Sequence, residues 1–423
     1  MKNNQKIPEG WSVKKLGECF SFLKTPSYSR AETTDIGDVH YVHYGDIHTK
    51  YHLHVCPTDI DIFVSDEQAQ KGDLLKTGDL ILLDASEDYE GTTKCIELVD
   101  IKENDKVISG LHTLALRDNA RNFADGFRAY ITSMPFVKNI FWKQVSGFKV
   151  YGVSKDNLKK IKLLLPPLAE QEKIAGILGT WDEAIEKLSG LIEQKKLLKK
   201  GLMQKLLTGK TRLPTFTQPW KEVKLGEMGH ITSAGVDKNI VPGEQNVILL
   251  NYMDIYKKDF IYKDDIKQIV TAPDRKIKNC NVLMGDVFFT PSSETRDDIG
   301  HSAVIMENIP GAVYSYHIVR FRPLLNHLNR KFCAYAFKTS KFYKQAYSLC
   351  EGSGQRYVLS QDDFRNMKVY IPSDISEQQA IADVLSTADD EINLLNQKLE
   401  ALKEQKKGLM QQLLTGQIRV KVN

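Results

Sequence analysis

The sequence lacks the features that would place the protein in a membrane or outside the cell. Its start, MKNNQKIPEGW, has no apolar core of a signal peptide, and no apolar run approaches the length of a membrane span. The six cysteines show no paired spacing, which is typical of free thiols in a reducing compartment. We therefore expect a cytoplasmic protein with no membrane partner.

The sequence also lacks the motifs of nucleotide, methyl-transfer and nuclease sites. Gly209-Lys210-Thr211 matches the end of a phosphate-binding loop, but Gln204 stands where that loop needs its first glycine. There is no Asn-Pro-Pro-Tyr motif for adenine methylation and no glycine-rich loop for a methionine-derived cofactor. The nuclease-like runs at 193–195 and 404–406 have no acidic residue on a preceding strand. We expect no catalytic residue in this chain.

Five of the ten histidines lie close together in the sequence, which raises the alternative of a metal site. They are His40, His43, His48, His52 and His54. A metal site needs ligands that converge in space and usually has a spacing independent of any repeat, whereas the second half of the chain has Asn251 opposite His43 and Tyr256 opposite His48. We interpret the cluster as polar strand and turn positions near a ligand surface, with no metal.

The composition allows two or three domains. The chain has 423 residues, 42% of them hydrophobic and 26% charged, as in a globular protein. A net charge of +4 permits nucleic-acid binding without requiring it.

The strongest signal is a stretch that occurs twice, over residues 170–213 and 377–420. Both copies contain KKGLMQ and LLTG, and both carry apolar residues at alternating spacings of four and three. This period predicts two coiled-coil helices of about 38 residues each, or about 57 Å. Ser376 with Gln379 predicts the start of the second helix, and Gly209 and Gly416 predict left-handed helix ends.

The residues before each helix also match at landmarks, although most of their sequence differs. The matched runs include Trp11 and Trp220, Gly78-Asp79 and Gly285-Asp286, and Ser154 and Ser360. We therefore predict two α/β (α+β) globular domains in tandem, at 1–165 and 214–372, and two helical segments, at 166–213 and 373–423. If the helices pack antiparallel, the molecule is a pseudo-two-fold symmetric dumbbell.

The doubled arrangement resembles the specificity subunits of type I restriction–modification systems. The resemblance covers the whole chain and includes LPPLAEQ from Leu165, which leads into the first helix. The second helix is preceded instead by IPSDISE from Ile371, one residue longer and without Pro-Pro, so its boundary is less defined. In that family each globular domain reads one half of a bipartite, asymmetric DNA target.

The resemblance also implies the partners. The helices set the spacing of the half-sites and dock two modification (methyltransferase) subunits, and restriction (translocase and nuclease) subunits join them. S-adenosylmethionine, ATP and magnesium are then expected on those subunits, with no cofactor in this chain. We expect the non-seam faces at the helix ends to bind the modification subunits, through Lys199, Lys200, Gln204, Lys406, Lys407 and Gln411.

Double-stranded DNA is expected at the divergent loops. Arginine and glutamine make bidentate contacts with base edges, whereas lysine mostly contacts phosphates. The candidates are Lys149, Arg356, Gln355, Arg296, Lys94, Ser293 and Tyr89. The alternative function is a coiled-coil scaffold that binds two protein ligands without contacting DNA.

Overall fold

The computed structural model describes residues 7–86, 94–144, 151–324, 327–354 and 356–422, and it divides into two compact units. The first unit is Met1–Ser189 with Gln397–Asn423, and the second is Gly190–Asn396. Each unit contains one globular part and a portion of both long helices. The domain boundaries predicted from the sequence differ from this division, because they treat each long helix as a separate segment.

The first globular part combines short strands with short helices. Its strands are β1 Ser12–Lys15, β2 Phe20–Phe22, β3 Val39–Val42, β4 His54–Val55, β5 Phe63–Val64, β6 Leu80–Leu83, β7 Ala85–Ser86, β8 Cys95–Leu98, β9 Lys106–Ser109, β10 Thr113–Asp118, β11 Tyr151–Gly152 and β12 Lys162–Leu165. Its helices are α1 Leu16–Cys19, α2 Tyr44–Thr49, α3 Asp66–Ala69, α4 Pro135–Gln144 and α5 Lys155–Lys159, with 3₁₀ turns at 30–32, 57–59 and 128–133.

The centre of this part is strand β6, which is buried on both faces. It lies in the middle of a five-stranded sheet of order β2-β10-β6-β8-β4. Leu80 and Leu82 belong to one apolar core, and Ile81 and Leu83 to the other, because successive side chains point to opposite faces. A three-stranded sheet, β5-β3-β9, closes the second core.

Helix α6, Leu168–Leu206, follows the first globular part and leads to the second. The second part has strands β13 Trp220–Lys224, β14 Gly229–Thr232, β15 Gln245–Leu250, β16 Phe260–Ile261, β17 Ile269–Ala272, β18 Val287–Phe289, β19 Ser292–Ser293, β20 Ser302–Ile305, β21 Ala312–Tyr314, β22 Val319–Pro323, β23 Glu351–Ser353, β24 Arg356–Val358 and β25 Lys368–Pro372. Its helices are α7 Leu225–Met228, α8 Tyr252–Ile255, α9 Asp274–Asn279, α10 Cys333–Ala336, α11 Ser340–Leu349 and α12 Gln361–Asn366, with 3₁₀ turns at 263–265 and 296–298. Helix α13, Ile375–Leu413, follows.

Both parts have the same topology. The second five-stranded sheet has the order β14-β22-β18-β20-β16, and β17-β15-β21 repeats the smaller sheet. The parallel pairs also correspond, with β3–β9 and β4–β8 matched by β15–β21 and β16–β20. The prediction of one mixed α/β fold used twice is therefore confirmed.

The landmarks keep equivalent backbone positions. Gly78 and Gly285 adopt φ of +87° and +95° before the central strands, a region open to glycine. Asp79 accepts two hydrogen bonds from the Arg117 guanidinium at 2.9 and 2.6 Å, and Asp286 accepts two from Arg322 at 2.6 and 2.7 Å. Each carboxylate thereby fixes the start of the central strand to the neighbouring strand.

The two long helices each contain 39 residues, close to the predicted length. Gly209 and Gly416 have φ of +68° and +69°, so the predicted left-handed ends are confirmed. The predicted cap at Ser376 is wrong. The second helix starts at Ile375, and the side chain of Asp374 accepts a hydrogen bond from the Ser376 amide at 2.8 Å.

The helices pack antiparallel within each unit. In the first unit, Ile174 and Leu178 from the start of α6 share a core with Leu413, the last residue of α13, and with Leu414, which follows it. In the second unit, Leu206 from the end of α6 shares a core with Ile381 and Leu385 from the start of α13. Within each unit, the ends of the predicted apolar seam thus contribute to a core that both helices share.

The remaining expectations concern the cysteines and the membrane. All six cysteines are unpaired, as predicted. Within the described residues, neither long helix nor any shorter one is apolar over a length that would cross a bilayer.

Candidate nucleic-acid interface

A β-hairpin in the second unit is largely exposed. Strands β23 and β24 pair with each other, and β24 also pairs with β19, with Ser292 opposite Val358 and Ser293 opposite Tyr357. Gly352 has φ +137°, and a Cβ there would lie 2.1 Å from the carbonyl oxygen of Arg356, so the hairpin requires glycine. We call Ser292–Asp298 together with Glu351–Val358 the recognition arm.

The recognition arm brings three of the predicted DNA-contacting residues together. Arg356 donates a hydrogen bond from Nη2 to Ser292 Oγ at 2.9 Å. The Arg296 guanidinium lies 4.8 Å from the centre of the Tyr357 ring, a cation–π contact. Ser293 lies one residue from Ser292 on the same strand. Gln355 lies outside the described residues.

A hydrogen-bonded carboxylate supports the base of the arm. Asp298 accepts from the Tyr256 hydroxyl at 2.7 Å and contacts His301 Nε2 at 2.9 Å. Burial opposes ionisation, but the hydrogen bonds from His301 and Tyr256 hold the pKa of Asp298 below its usual value. Sequence reasoning missed this group, because Tyr256 and Asp298 are 42 residues apart.

The first unit has the corresponding strand pair, β7 with β11, in which Ser86 lies opposite Tyr151. The predicted residues Tyr89 and Lys149 lie outside the described residues. Lys94 donates a hydrogen bond from Nζ to the carbonyl oxygen of His48 at 2.8 Å. That bond fixes the end of the loop to helix α2.

The clustered histidines mostly bind the backbone. His43 Nδ1 accepts a hydrogen bond from the Gly45 amide at 3.1 Å, His40 contacts the Ile60 carbonyl at 2.8 Å, and His54 contacts the Gly126 carbonyl at 2.9 Å. His43 and Asn251 precede helices α2 and α8 at matched positions. No group of three or more His, Cys, Asp or Glu side chains among the described residues is arranged to hold a metal ion.

The six helix residues predicted to bind modification subunits fall into two classes. Lys199 and Lys406 are directed into the units, where Lys199 contacts Asp389 and Asp259 and Lys406 contacts Asp182. The other four are exposed: Lys200, Gln204, Lys407 and Gln411. The docking role stays a prediction. Of the six predicted residues, these four are the ones exposed on the helix surface and accessible to a partner.

The amino-acid sequence matches the family described as Type I restriction modification DNA specificity domain twice, over residues 8–195 and 217–404. The MjaVIII specificity subunit of a type I restriction enzyme from Methanocaldococcus jannaschii is 23% identical over 431 residues, covering 98% of this chain and 95% of that relative. The putative MjaX specificity subunit from the same organism is 24% identical over 460 residues, with the same coverage of both chains.

Two solved structures share the fold. The S subunit of a type I restriction–modification system from M. genitalium is 15% identical with a TM-score of 0.55, covering 98% of both chains. A chain solved for complex assembly and conformational transition of a type I restriction–modification system is 17% identical with a TM-score of 0.56, covering 98% of this chain and all of its own. Since two copies of one domain match in tandem, the chain belongs to the type I restriction–modification DNA specificity family.

Proposed function

We propose that each globular part reads one half of a bipartite, asymmetric sequence in double-stranded DNA. The observation that carries this is the recognition arm, in which Arg356 lies on an exposed hairpin and Arg296 packs beside it, in a fold that the chain uses twice. The framework residues match between the halves while the loops differ, so each loop set has its own target. The scaffold alternative has no support from the family match.

We further propose that the chain itself catalyses nothing. Modification subunits would supply methyl transfer with S-adenosylmethionine, and restriction subunits would supply ATP- and magnesium-dependent translocation and cleavage, all in the cytoplasm. The chain would carry no cofactor of its own. Two modification subunits would dock on the outer faces of the helices, and the helix length would set the spacer between the half-sites.

Selection from a library of random duplexes tests the DNA-reading function. The full chain, with its modification subunits, should enrich duplexes that share two short sequences at a fixed separation, and its affinity should fall steeply with salt as counterions are released. Grafting the recognition arm of another family member should change one half-site and leave the other unchanged. Enrichment of no duplex, or an affinity independent of salt, would contradict the proposal.

A further inference from the structure

The turn between β9 and β10 of the first unit holds a histidine in an uncommon backbone conformation. His112 has φ of +57°, in the left-handed region that favours glycine. The Asp84 amide donates to the His112 carbonyl at 3.2 Å, and the Thr113 amide donates to the Gly110 carbonyl at 3.1 Å. Backbone strain of this kind persists only where the surrounding structure holds it, and it is concentrated at functional sites.

Two side chains orient the imidazole of His112. Its Nδ1 lies 3.3 Å from Oδ1 of Asp84, and its ring meets the Tyr44 ring edge-on, with 5.4 Å between the centres. Asp84 Oδ1 is buried, and no other group in the described ranges donates a hydrogen bond to it. Nδ1 is therefore the nitrogen that carries a hydrogen towards the carboxylate. The ring is exposed, so Nε2 is the nitrogen left for a ligand.

Asp84 lies at the base of the first unit's counterpart of the recognition arm. It directly precedes β7, and β7 pairs with β11 as β19 pairs with β24 in the second unit. The Val153 amide donates to the Asp84 carbonyl at 2.9 Å, and the Leu359 amide donates to the Pro291 carbonyl at 2.8 Å. This backbone contact is repeated in both units. His112 therefore lies beside the strand pair at which the first unit is expected to contact DNA.

Helix α2 connects His112 to a DNA-contacting residue that the sequence predicts. Tyr44 begins this helix, and its ring also meets the His48 ring edge-on, with 6.5 Å between the centres. The carbonyl oxygen of His48 accepts the hydrogen bond from Lys94 Nζ at 2.8 Å. The contacts thus run from His112 through Tyr44 and His48 to Lys94.

The carboxylate beside His112 decides which part of DNA the ring can contact. Asp84 would repel a phosphate group, because two negative charges would lie close together. An imidazole with one hydrogen has one donor and one acceptor nitrogen, so Nε2 is an acceptor when Nδ1 donates to Asp84. Adenine and cytosine present amino groups, which donate, in the major groove. In the second unit Pro291 stands in the place of Asp84 and offers no carboxylate.

We propose that His112, oriented by Asp84, accepts a hydrogen bond through Nε2 from the amino group of one adenine or cytosine in the major groove. The inference rests on the proposed DNA-reading function and adds a base-reading residue to the first half-site. The ring is held in place before DNA binds, so little conformational freedom is lost on binding. An acceptor distinguishes a base with an amino group from one that presents an oxygen there, so this contact fixes one position of the half-site.

The test measures binding of the full chain, with its modification subunits, to the duplex that the wild type selects. His112→Gly removes the ring, and glycine adopts the positive φ without strain. This variant should lose the preference at one base pair of one half-site and bind about tenfold more weakly. The salt dependence should stay unchanged, because a contact with a base releases no counterion.

A base analogue identifies the atom that His112 contacts. At the affected position, adenine or cytosine is replaced by an analogue that lacks the amino group. The wild type should bind this duplex about tenfold more weakly than the natural one, whereas His112→Gly should bind both alike. Asp84→Ala should lose the same preference, because the ring is then no longer oriented.

Controls separate this contact from general effects. His52→Ala removes another exposed histidine of the first unit, one that lies 3.9 Å from the Glu186 carboxylate, and it should bind as wild type does. Thermal unfolding should show that all three variants are folded. Unchanged base preferences in His112→Gly or Asp84→Ala, equal wild-type binding to the analogue, or a uniform loss with a smaller salt slope would overturn the base contact while the DNA-reading function stands. A wild-type chain that enriches no duplex would overturn both.

Discussion

Lys406 near the end of α13 contacts the carboxylate of Asp182 near the start of α6, 224 residues earlier. The Tyr130 hydroxyl donates to the second oxygen of the same carboxylate at 2.6 Å. The second unit repeats the group, with Lys199 and Tyr335 both on Asp389. In the sequence these lysines interrupt the apolar seam, whereas in the structure they form half-buried ion pairs that define the antiparallel register.

Asp182→Asn should therefore destabilise the first unit by about 3–5 kcal/mol, because the Lys406 side chain is only 11% exposed and would lose its counter-ion. The double variant Asp182→Asn with Lys406→Met should recover part of that loss, since no unpaired charge remains. Chemical unfolding measures both. Glu183→Gln, in an exposed pair with Lys187, is the control and should leave the unfolding midpoint unchanged, because exposed ion pairs add little to stability.

A second matched contact joins the segment after each helix to the start of the other helix. Arg419 donates to both oxygens of Glu170 at 2.7 and 2.8 Å, and Arg212 donates to both oxygens of Glu377 at 3.0 and 2.6 Å. Trp11 and Trp220 donate to the same carboxylates.

Arg419→Ala and Arg212→Ala should each lower the midpoint of chemical unfolding, because each leaves a buried carboxylate with a single strong donor. Lysine should restore only part of this, since it cannot form the two-pronged contact. Arg365→Ala breaks an exposed pair with Asp362 and serves as the control. If Arg365→Ala and Arg419→Ala lower stability equally, the contact between Arg419 and Glu170 contributes no more than an exposed ion pair does.

His43 should make stability depend on pH. Burial lowers its pKa from 6.5 and the nearby Arg30 charge adds to this, while Asp46 acts in the opposite direction. The unfolded chain therefore binds more protons as pH falls below about 6.5, so stability present at higher pH is lost on acidification. His43→Asn introduces the residue type found at the matched position, Asn251. The unfolding free energy of this variant should change less between neutral and mildly acidic pH than that of the wild type. His52→Asn, at an exposed site, should keep the wild-type dependence.

The helices should act as a ruler for the spacer. Seven residues inserted after both Leu188 and Leu395 preserve the seam and lengthen each helix by about 10 Å. The selected duplexes should then contain a spacer longer by about three base pairs, with unchanged half-sites. Affinity should fall even on the best duplex, because the added base pairs also rotate one half-site. A single insertion should break the pairing. Selection of the original spacer by the double insertion would rule out the ruler.

The outer faces should each hold one modification subunit. Charge reversal at Lys200 together with Gln204→Glu should reduce the complex from two modification subunits to one. The same changes at Lys407 and Gln411 should do so independently. Light scattering of the purified complex measures the stoichiometry, and Lys102→Glu, on an exposed turn of the first part, is the control. A wild-type complex with one modification subunit would contradict the two-site arrangement.

Much of the architecture was predictable from the sequence because its signals are local or repeated. An apolar period of 3.5 residues gives a helix with a seam wherever it occurs, and finding it twice predicts that the seams pack together. Ser154 and Ser360 accept hydrogen bonds from the amides three residues on, so the caps of α5 and α12 also follow from short-range pattern. The start of α13 was misplaced because Asp374 and Ser376 both suit a cap, and local pattern does not choose between them.

The sequence by itself determined the fold class, the two-fold repeat and the two helices, because each depends on spacing within a short stretch. Only the tertiary structure decided which polar groups meet. Lys406 meets Asp182, Arg356 meets Ser292, and Arg419 meets Glu170. The two residues of such a pair lie far apart in the chain, and no spacing pattern in the sequence indicates their contact. A polar contact depends on distances of a few ångströms, which are set only when the strands and helices pack.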